Sequence, residues 1–396
     1  MVLNLRINPY TPGAGMLPKY LAGRDEIIEE AKDTLAYIAN GYVTRSTIFY
    51  GLRGVGKTVL LTAIEDIASE NRIYTEHIEA MENGSFTESI SLYVNKLLRK
   101  MSVREKARQY IDTAMNVAAS FQLFYNKEGE TSIGINPDMI KSVGIADTGN
   151  LQNDLTELFV HLGKVGQKIG VGAVLFIDEI QYIKDNEFEA LIAAVHRCNQ
   201  LGLPIAIFAA GLPKVAKIAG NIKSYAERLF RFVAVDKLAD DEAKLALMQP
   251  AENFGVKYTE EALNTILRHT ECYPYFLQEY GQQVWKYLNP ETKIITEDDV
   301  DKAYNNFVSA LDESFFKVRH DRASEKELLF MKAMVKCGSL PCSTNKVAMN
   351  MNSSYNRIAP IRAQLIHKGF IYATNRGEIS FTVPQFDKYL KRIYNL

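Results

Sequence analysis

The stretch Gly51-Leu52-Arg53-Gly54-Val55-Gly56-Lys57-Thr58 fits the spacing G-x-x-x-x-G-K-[ST], and few short patterns constrain a fold as tightly. Before it lies Ser46-Thr47-Ile48-Phe49-Tyr50, with the β-branched and aromatic composition of a buried strand. After it, Val59 to Ser69 places apolar residues at helical spacing. A strand, a glycine-rich turn and a helix N-terminus make a cradle for phosphate. The glycines let backbone N–H groups approach the oxygens closely, and the helix end adds partial positive charge. Lys57 would reach the β- and γ-phosphates of a nucleotide, and the Thr58 hydroxyl would hold Mg2+. Gly51, Arg53, Gly54, Val55, Gly56 and Val59 complete the expected contact set. The alternative is a glycine-rich turn that binds nothing, and the flanking strand and helix weigh against it.

A second feature belongs with the first. Val171 to Ile177 is a continuous apolar run, the signature of a strand buried on both faces. It delivers Asp178 and Glu179 at its C-terminal edge. Asp178 would join Thr58 in the Mg2+ shell, and Glu179 would polarise the attacking water. The bland alternative is that two acids merely end a strand.

The remaining pattern says what surrounds this pair. Residues 1–23 are rich in Pro and Gly and cannot be helical. A helix is expected over 25–40, then the loop strand. Strands are expected over Arg72–Ala80, Pro204–Gly211 and Phe232–Val235, with helices at 86–118, 153–167, 186–200 and 213–227. Alternating strands and helices argue for a parallel sheet covered on both faces. The basic residues Arg99, Lys100, Arg104, Lys106 and Arg108 read as a solvated helix face rather than a nucleic-acid contact. Ser120–Tyr125 and Thr131–Ile135 flank Asn126–Glu130, which has the look of a hairpin insertion near 120–136. From Ala239 the pattern is wholly helical, about 240–253, 259–269, 274–288 and 297–316. Residues 317–323 then read as a charged hinge.

Residues 324–396 differ in charge. They hold seven lysines and four arginines against three glutamates and one aspartate, a net +7, within a chain whose net charge is −1. A basic module on an acidic body suits an anionic partner. Its pattern is helix (Glu325–Lys336), short helix (Thr344–Met349), longer helix (Ser353–Lys368, capped by Asn352 or Ser353), then strand, turn, strand over 370–382. Three helices and a hairpin make a winged helix-turn-helix. Tyr355, Asn356, Arg357 and Arg362 on the third helix, and Arg376 at the wing tip, are residue types that reach base edges or phosphates of double-stranded DNA. A winged helix that binds protein instead is the alternative.

Composition sets only outer limits. The chain has 396 residues, 47% hydrophobic and 23% charged, enough for a large core without disulfides. No apolar run approaches the roughly 20 residues of a membrane span, and the N-terminus lacks the apolar region of a secretory signal. The four cysteines match no zinc spacing. A cytoplasmic protein without membrane partners is the expectation.

Asn8-Pro9-Tyr10-Thr11-Pro12-Gly13 with Leu21-Ala22-Gly23-Arg24-Asp25, then GLRGVGKT, then FIDEIQ, resembles the AAA+/STAND-like P-loop ATPases often called the archaeal-type ATPase family. The order of nucleotide domain, helical lid and winged helix is also similar to the origin-recognition ATPases. The resemblance implies a P-loop NTPase fold with parallel sheet order 5-1-4-3-2 over residues 1–238, an all-α lid over 239–316 and a winged helix over 324–396. It implies ATP, with adenine near Arg24 and the lid, and slow Mg2+-dependent hydrolysis to ADP and phosphate. No Asn-Lys-x-Asp guanine motif is present. Three departures stand out. The fourth strand ends in Ala209-Ala210-Gly211, without the polar sensor such proteins carry there. The lid stretch Cys272–Glu279 has no sensor arginine and looks more like the G-x-P lid motif of STAND ATPases, with Cys272 where glycine is usual and Pro274 against the nucleotide. Arg228 sits where a trans-acting arginine finger is placed, which implies self-association; a structural ion pair is the other reading. Two functions follow: an ATP-driven DNA-binding switch, or a STAND-type signalling or scaffold ATPase whose winged helix binds protein.

Overall fold

The computed structural model describes residues 7–102, 107–125 and 144–396. It divides into two compact units. One comprises residues 25–50 and 57–234; the other comprises 51–56, 235–396 and the described part of the first 24 residues.

The first unit is built on a five-stranded sheet. Its strands are β1 (Ser46–Tyr50), β2 (Tyr74–Glu79), β3 (Ala173–Asp178), β4 (Ile205–Gly211) and β5 (Phe230–Ala234). All neighbours pair in parallel, in the order β2-β3-β4-β1-β5. Read from the other edge, this is the expected 5-1-4-3-2. Every residue of β3 and β4 is buried, which explains their unbroken apolar runs. Phe49, Phe208 and Phe176 stack across β1, β4 and β3 with ring centroids 6.2 and 5.6 Å apart. The helix Lys57–Glu70 follows β1 and buries Leu60, Leu61 and Ile64.

Several expectations need correction. The helix placed at 86–118 is two helices, Phe86–Met101 and Arg108–Tyr125. The second absorbs residues 120–125, so the first arm of the expected hairpin is helical: Ala114, Val117, Ala118 and Phe121 are buried at helical spacing. Residues 126–143, with the proposed turn and second arm, lie outside the described residues. Buried Asp154 accepts from Tyr125 Oη at 2.6 Å, Thr148 Oγ1 at 2.6 Å and Gly149 N at 3.1 Å, tying the end of the helix Arg108–Tyr125 to residues 148–149. The helix expected at 213–227 is also split, into Lys214–Ile222 and Ala226–Leu229.

In the second unit the helices Asp240–Glu252, Glu260–Thr270, Pro274–Lys286 and Glu297–Ala310 share one apolar core with residues 330–390. The N-terminal strap lies along Pro274–Lys286. Tyr10 Oη donates to Leu247 O at 2.8 Å, and Trp285 Nε1 donates to Ile7 O at 3.1 Å. The charged hinge expected at 317–323 begins as helix and turns at 321–323, before the helix Glu325–Val335. Leu311–Phe316 is π-helical and runs straight into the helical turn Lys317–His320. The two helices that follow, Glu325–Val335 and Thr344–Asn350, stand where the pattern put them. The next helix, Tyr355–His367, begins after Ser354 rather than after Asn352 or Ser353, because Asn352 takes a left-handed φ of 47°. The hairpin Ile371–Ala373 and Glu378–Phe381 gains an unforeseen third strand, Cys342–Ser343, and a terminal helix, Phe386–Tyr394. That helix is amphipathic and buries Phe386, Tyr389 and Leu390.

Candidate functional site

Strand β3 carries Asp178 to the end of the sheet, and the helix that opens at Lys57 carries Thr58 to the same place. The Thr58 hydroxyl donates to Asp178 Oδ2 at 2.6 Å. The other carboxylate oxygen accepts from Glu179 N at 2.7 Å. Burial pushes the Asp178 pKa above the ordinary aspartate range. The bond from Thr58 opposes this, Glu179 adds to it, and the Glu179 amide and the Lys57 ammonium oppose it. Burial therefore disfavours the charged form of this carboxylate. A hydroxyl and a carboxylate at contact distance are hard oxygen donors that fit Mg2+. No group of three or more His, Cys, Asp or Glu side chains able to hold a metal occurs among the described residues. A Mg2+ ion here would need phosphate oxygens and water to fill its shell, as Mg2+ sites commonly do.

Glu179 itself has φ 51°. A non-glycine residue in that region costs about 1–2 kcal/mol, and such strain clusters at functional positions. The twist turns its carboxylate to the Gln181 side-chain amide, which donates to it. Gln181 Oε1 in turn accepts from Leu212 N at 2.9 Å, just beyond β4.

The glycine-rich loop, residues 51–56, packs within the other unit. A Cβ on Gly51 would sit 2.0 Å from Val235 O, so no other residue fits there without moving backbone. Gly54 and Gly56 have φ 82° and 92°, the left-handed turns that bring successive amides to one side. Three elements hold the loop. Buried Arg24 donates Nη2 to Val55 O at 3.2 Å and to Asp236 O at 2.6 Å, and Nη1 to Gly23 O at 3.0 Å. Desolvation lowers its pKa, while Glu242 and Asp236 counter that. Tyr275 N donates to Gly54 O at 3.2 Å, and Arg53 N donates to Thr382 O at 3.1 Å. Phe315 stacks on Tyr275 at 4.6 Å and carries the Arg319 guanidinium on its ring at 4.4 Å. The sequence pattern did not reveal that Tyr275, Phe315 and Thr382 reach this loop; no spacing rule joins residues so far apart.

The other predicted positions fall as follows. Val59 is half-buried in the first turns of the helix Lys57–Glu70. Pro274 is the first residue of its helix. Cys272 has φ 61°, which explains why glycine suits that position. Arg228 is exposed on the short helix Ala226–Leu229 and forms no ion pair among the described residues. Tyr355, Asn356 and Arg357 are exposed on the first turn of their helix, and Arg376 is exposed in the turn of the hairpin. Arg362 is half-buried, with Nε enclosed and unbonded among the described residues.

Comparison with known proteins agrees with the geometry. The family model described as AAA ATPase domain matches residues 20–208. A second model, a domain of unknown function (DUF8462), matches residues 313–390. No curated protein matches the chain. Among solved structures, the Walker-type ATPase PABY2304 of Pyrococcus abyssi is similar at 14% identity and TM-score 0.59, over 94% of this chain and 96% of that one. The RuvB Holliday junction branch migration motor of Thermotoga maritima is similar at 16% identity and TM-score 0.47, over 96% and 99%. The Orc1 protein of Aeropyrum pernix, in complex with DNA, is similar at 14% identity and TM-score 0.47, over 95% and 94%. At these identities the likeness to the Pyrococcus protein concerns the fold. Among the described residues, no helix is long and apolar enough to cross a membrane.

Proposed function

We propose that the chain binds ATP with Mg2+, hydrolyses it slowly, and couples nucleotide state to double-stranded DNA through a C-terminal winged helix at 324–396. The observation that carries the reading is the 2.6 Å bond between Thr58 and Asp178, residues 120 positions apart. It joins the two side chains that Mg2+ would need, directly after a phosphate-binding loop. Lys57 and the loop amides would bind the phosphates. Bound Mg2+ would supply charge neutralisation at the phosphate oxygens, held by Thr58 and Asp178. Glu179 would orient a water and accept its proton as the water oxygen bonds to the γ-phosphorus and the bond from that phosphorus to the departing ADP oxygen breaks. Arg24 serves the loop through its backbone carbonyls, and Pro274 starts the helix whose Tyr275 holds Gly54.

Binding and turnover of ATP test this. Lys57→Ala should abolish binding. Activity that rises with protein concentration and collapses in Arg228→Ala would assign Arg228 to a neighbouring subunit's site; concentration-independent turnover would remove that role.

For DNA, support comes from the net +7 and the exposed Tyr355, Asn356, Arg357 and Arg376. One observation favours a second reading, a STAND-type scaffold whose winged helix binds protein. Lys368, Lys388, Lys391 and Arg392 are each paired with a carboxylate, so these four of the eleven basic residues already hold a counter-ion. Salt-sensitive binding of the full chain to duplex DNA near 100 mM salt supports the first reading, and its absence supports the second; the slope against salt is the informative quantity.

A further inference from the structure

Strand β4 ends in Gly211, where a polar residue able to sense the reacting phosphate is missing. A buried polar side chain nevertheless stands there, supplied by another element. Gln181 follows β3 by three residues, is 8% exposed, and satisfies both ends of its amide. Its Nε2 donates to the Glu179 carboxylate and its Oε1 accepts from Leu212 N at 2.9 Å. The end of β4 is shaped around it. A Cβ at position 211 would lie 2.9 Å from Gln181 Oε1, 2.8 Å from Ile180 Cγ2 and 2.6 Å from Val215 Cγ2. Glycine ends this strand because the glutamine side chain and its neighbours take the space.

We propose that Gln181 is a positioning residue for Glu179 and couples it to the turn after β4. This rests on the ATPase reading and names how the same site is regulated. A carboxylate on a strained backbone has several rotamers open to it. An amide that is itself anchored selects one of them. A neutral donor does so without neutralising the carboxylate, as a lysine or arginine would. The anchor is the backbone of Leu212, two residues before the helix Lys214–Ile222, and the short helix bearing Arg228 comes next. Gln181 therefore gives movement of that segment a direct path to Glu179, with no polar group needed on β4.

The test uses the full chain and three readouts: single-turnover hydrolysis, ATP affinity, and melting temperature. Gln181→Leu keeps the bulk and loses both hydrogen bonds. Turnover should fall about 10- to 100-fold, the usual cost of removing an orienting group, with ATP affinity within about twofold of wild type. Gln181→Glu keeps the acceptor for Leu212 N but sets a carboxylate against a carboxylate. It loses the donor to Glu179, so its turnover should also fall, and wild-type turnover in this variant likewise overturns the proposal. Wild-type turnover in Gln181→Leu overturns the proposal. So does a parallel loss of affinity, turnover and melting temperature, which would make Gln181 a packing residue only. A wild-type chain that binds ATP without hydrolysing it removes the ATPase reading and this proposal together. Turnover in wild type matched by Gln181→Leu removes the proposal alone.

Discussion

The acids at the end of β3 and the bases of the C-terminal module look alike as sequence: clusters of one sign in a patterned context. The structure treats them in opposite ways. Asp178 is buried beside a second acid, with its pKa raised by that burial. Among the basic residues, Lys388 has Glu271 Oε1 at 2.6 Å, Lys368 has Glu327 Oε2 at 2.9 Å, and Arg392 Nε has Asp312 Oδ2 at 3.1 Å. In the first cluster, burial disfavours the charged form of Asp178. In the second, Lys368, Lys388, Lys391 and Arg392 have carboxylate partners, while Arg357 and Arg376 stand exposed. A charge that is costly to keep in the fold points to a ligand more strongly than one that already holds a counter-ion.

Four sets of substitutions separate the two clusters. Glu179→Gln should retain ATP binding and lower turnover by at least about 100-fold, the lower range for loss of a general base. Equal turnover in that variant removes the catalytic role. Arg357→Ala and Arg376→Ala should each weaken duplex DNA binding and reduce its salt slope by about one, with ATP turnover unchanged; DNA titrations at several salt concentrations read this. Asp178→Asn should melt a few degrees higher than wild type without nucleotide, because it removes a costly buried charge, and should lose the stabilisation that Mg-ATP gives. Its sign with pH follows from the raised pKa. The folded chain favours the protonated acid, so the penalty is present at neutral pH and relieved as pH falls through the aspartate range. The advantage of Asn over Asp should therefore vanish in acid. Last, Lys388→Ala should cost less than about 1 kcal/mol, as exposed pairs do, and leave the DNA salt slope unchanged. A slope that changes there would mean that the pairing with Glu271 does not hold Lys388 back from phosphate.

How much was legible depended on range. The loop, its strand and its helix are contiguous, so local pattern and spacing were enough. The buried runs of β3 and β4 announced themselves because a strand covered on both faces has no polar side to show. Pattern failed at 120–125, where Phe121, Leu123, Phe124 and Tyr125 have strand-like composition. Burial of Ala114, Val117 and Ala118 on the same face carries that helix onward. At 317–323 it was right only in part: Phe316 is fully buried against Phe386 and Tyr389 and the helical course continues to His320, so the chain turns at 321–323 rather than from 317.

From residues alone came the phosphate loop, the acids that answer it, the parallel sheet and the basic charge of the last 73 residues. These are properties of neighbours along the chain: periodicity, glycine spacing, net charge. Only the tertiary structure decided that Thr58 meets Asp178, that Gln181 fills the end of β4, that Tyr275 and Thr382 hold the loop backbone, and which cations are already paired. Each of these depends on the distance between residues far apart in sequence or on the conformation of a single side chain. Hydrophobic pattern carries neither, because burial is non-directional and leaves the polar partners to be chosen by geometry.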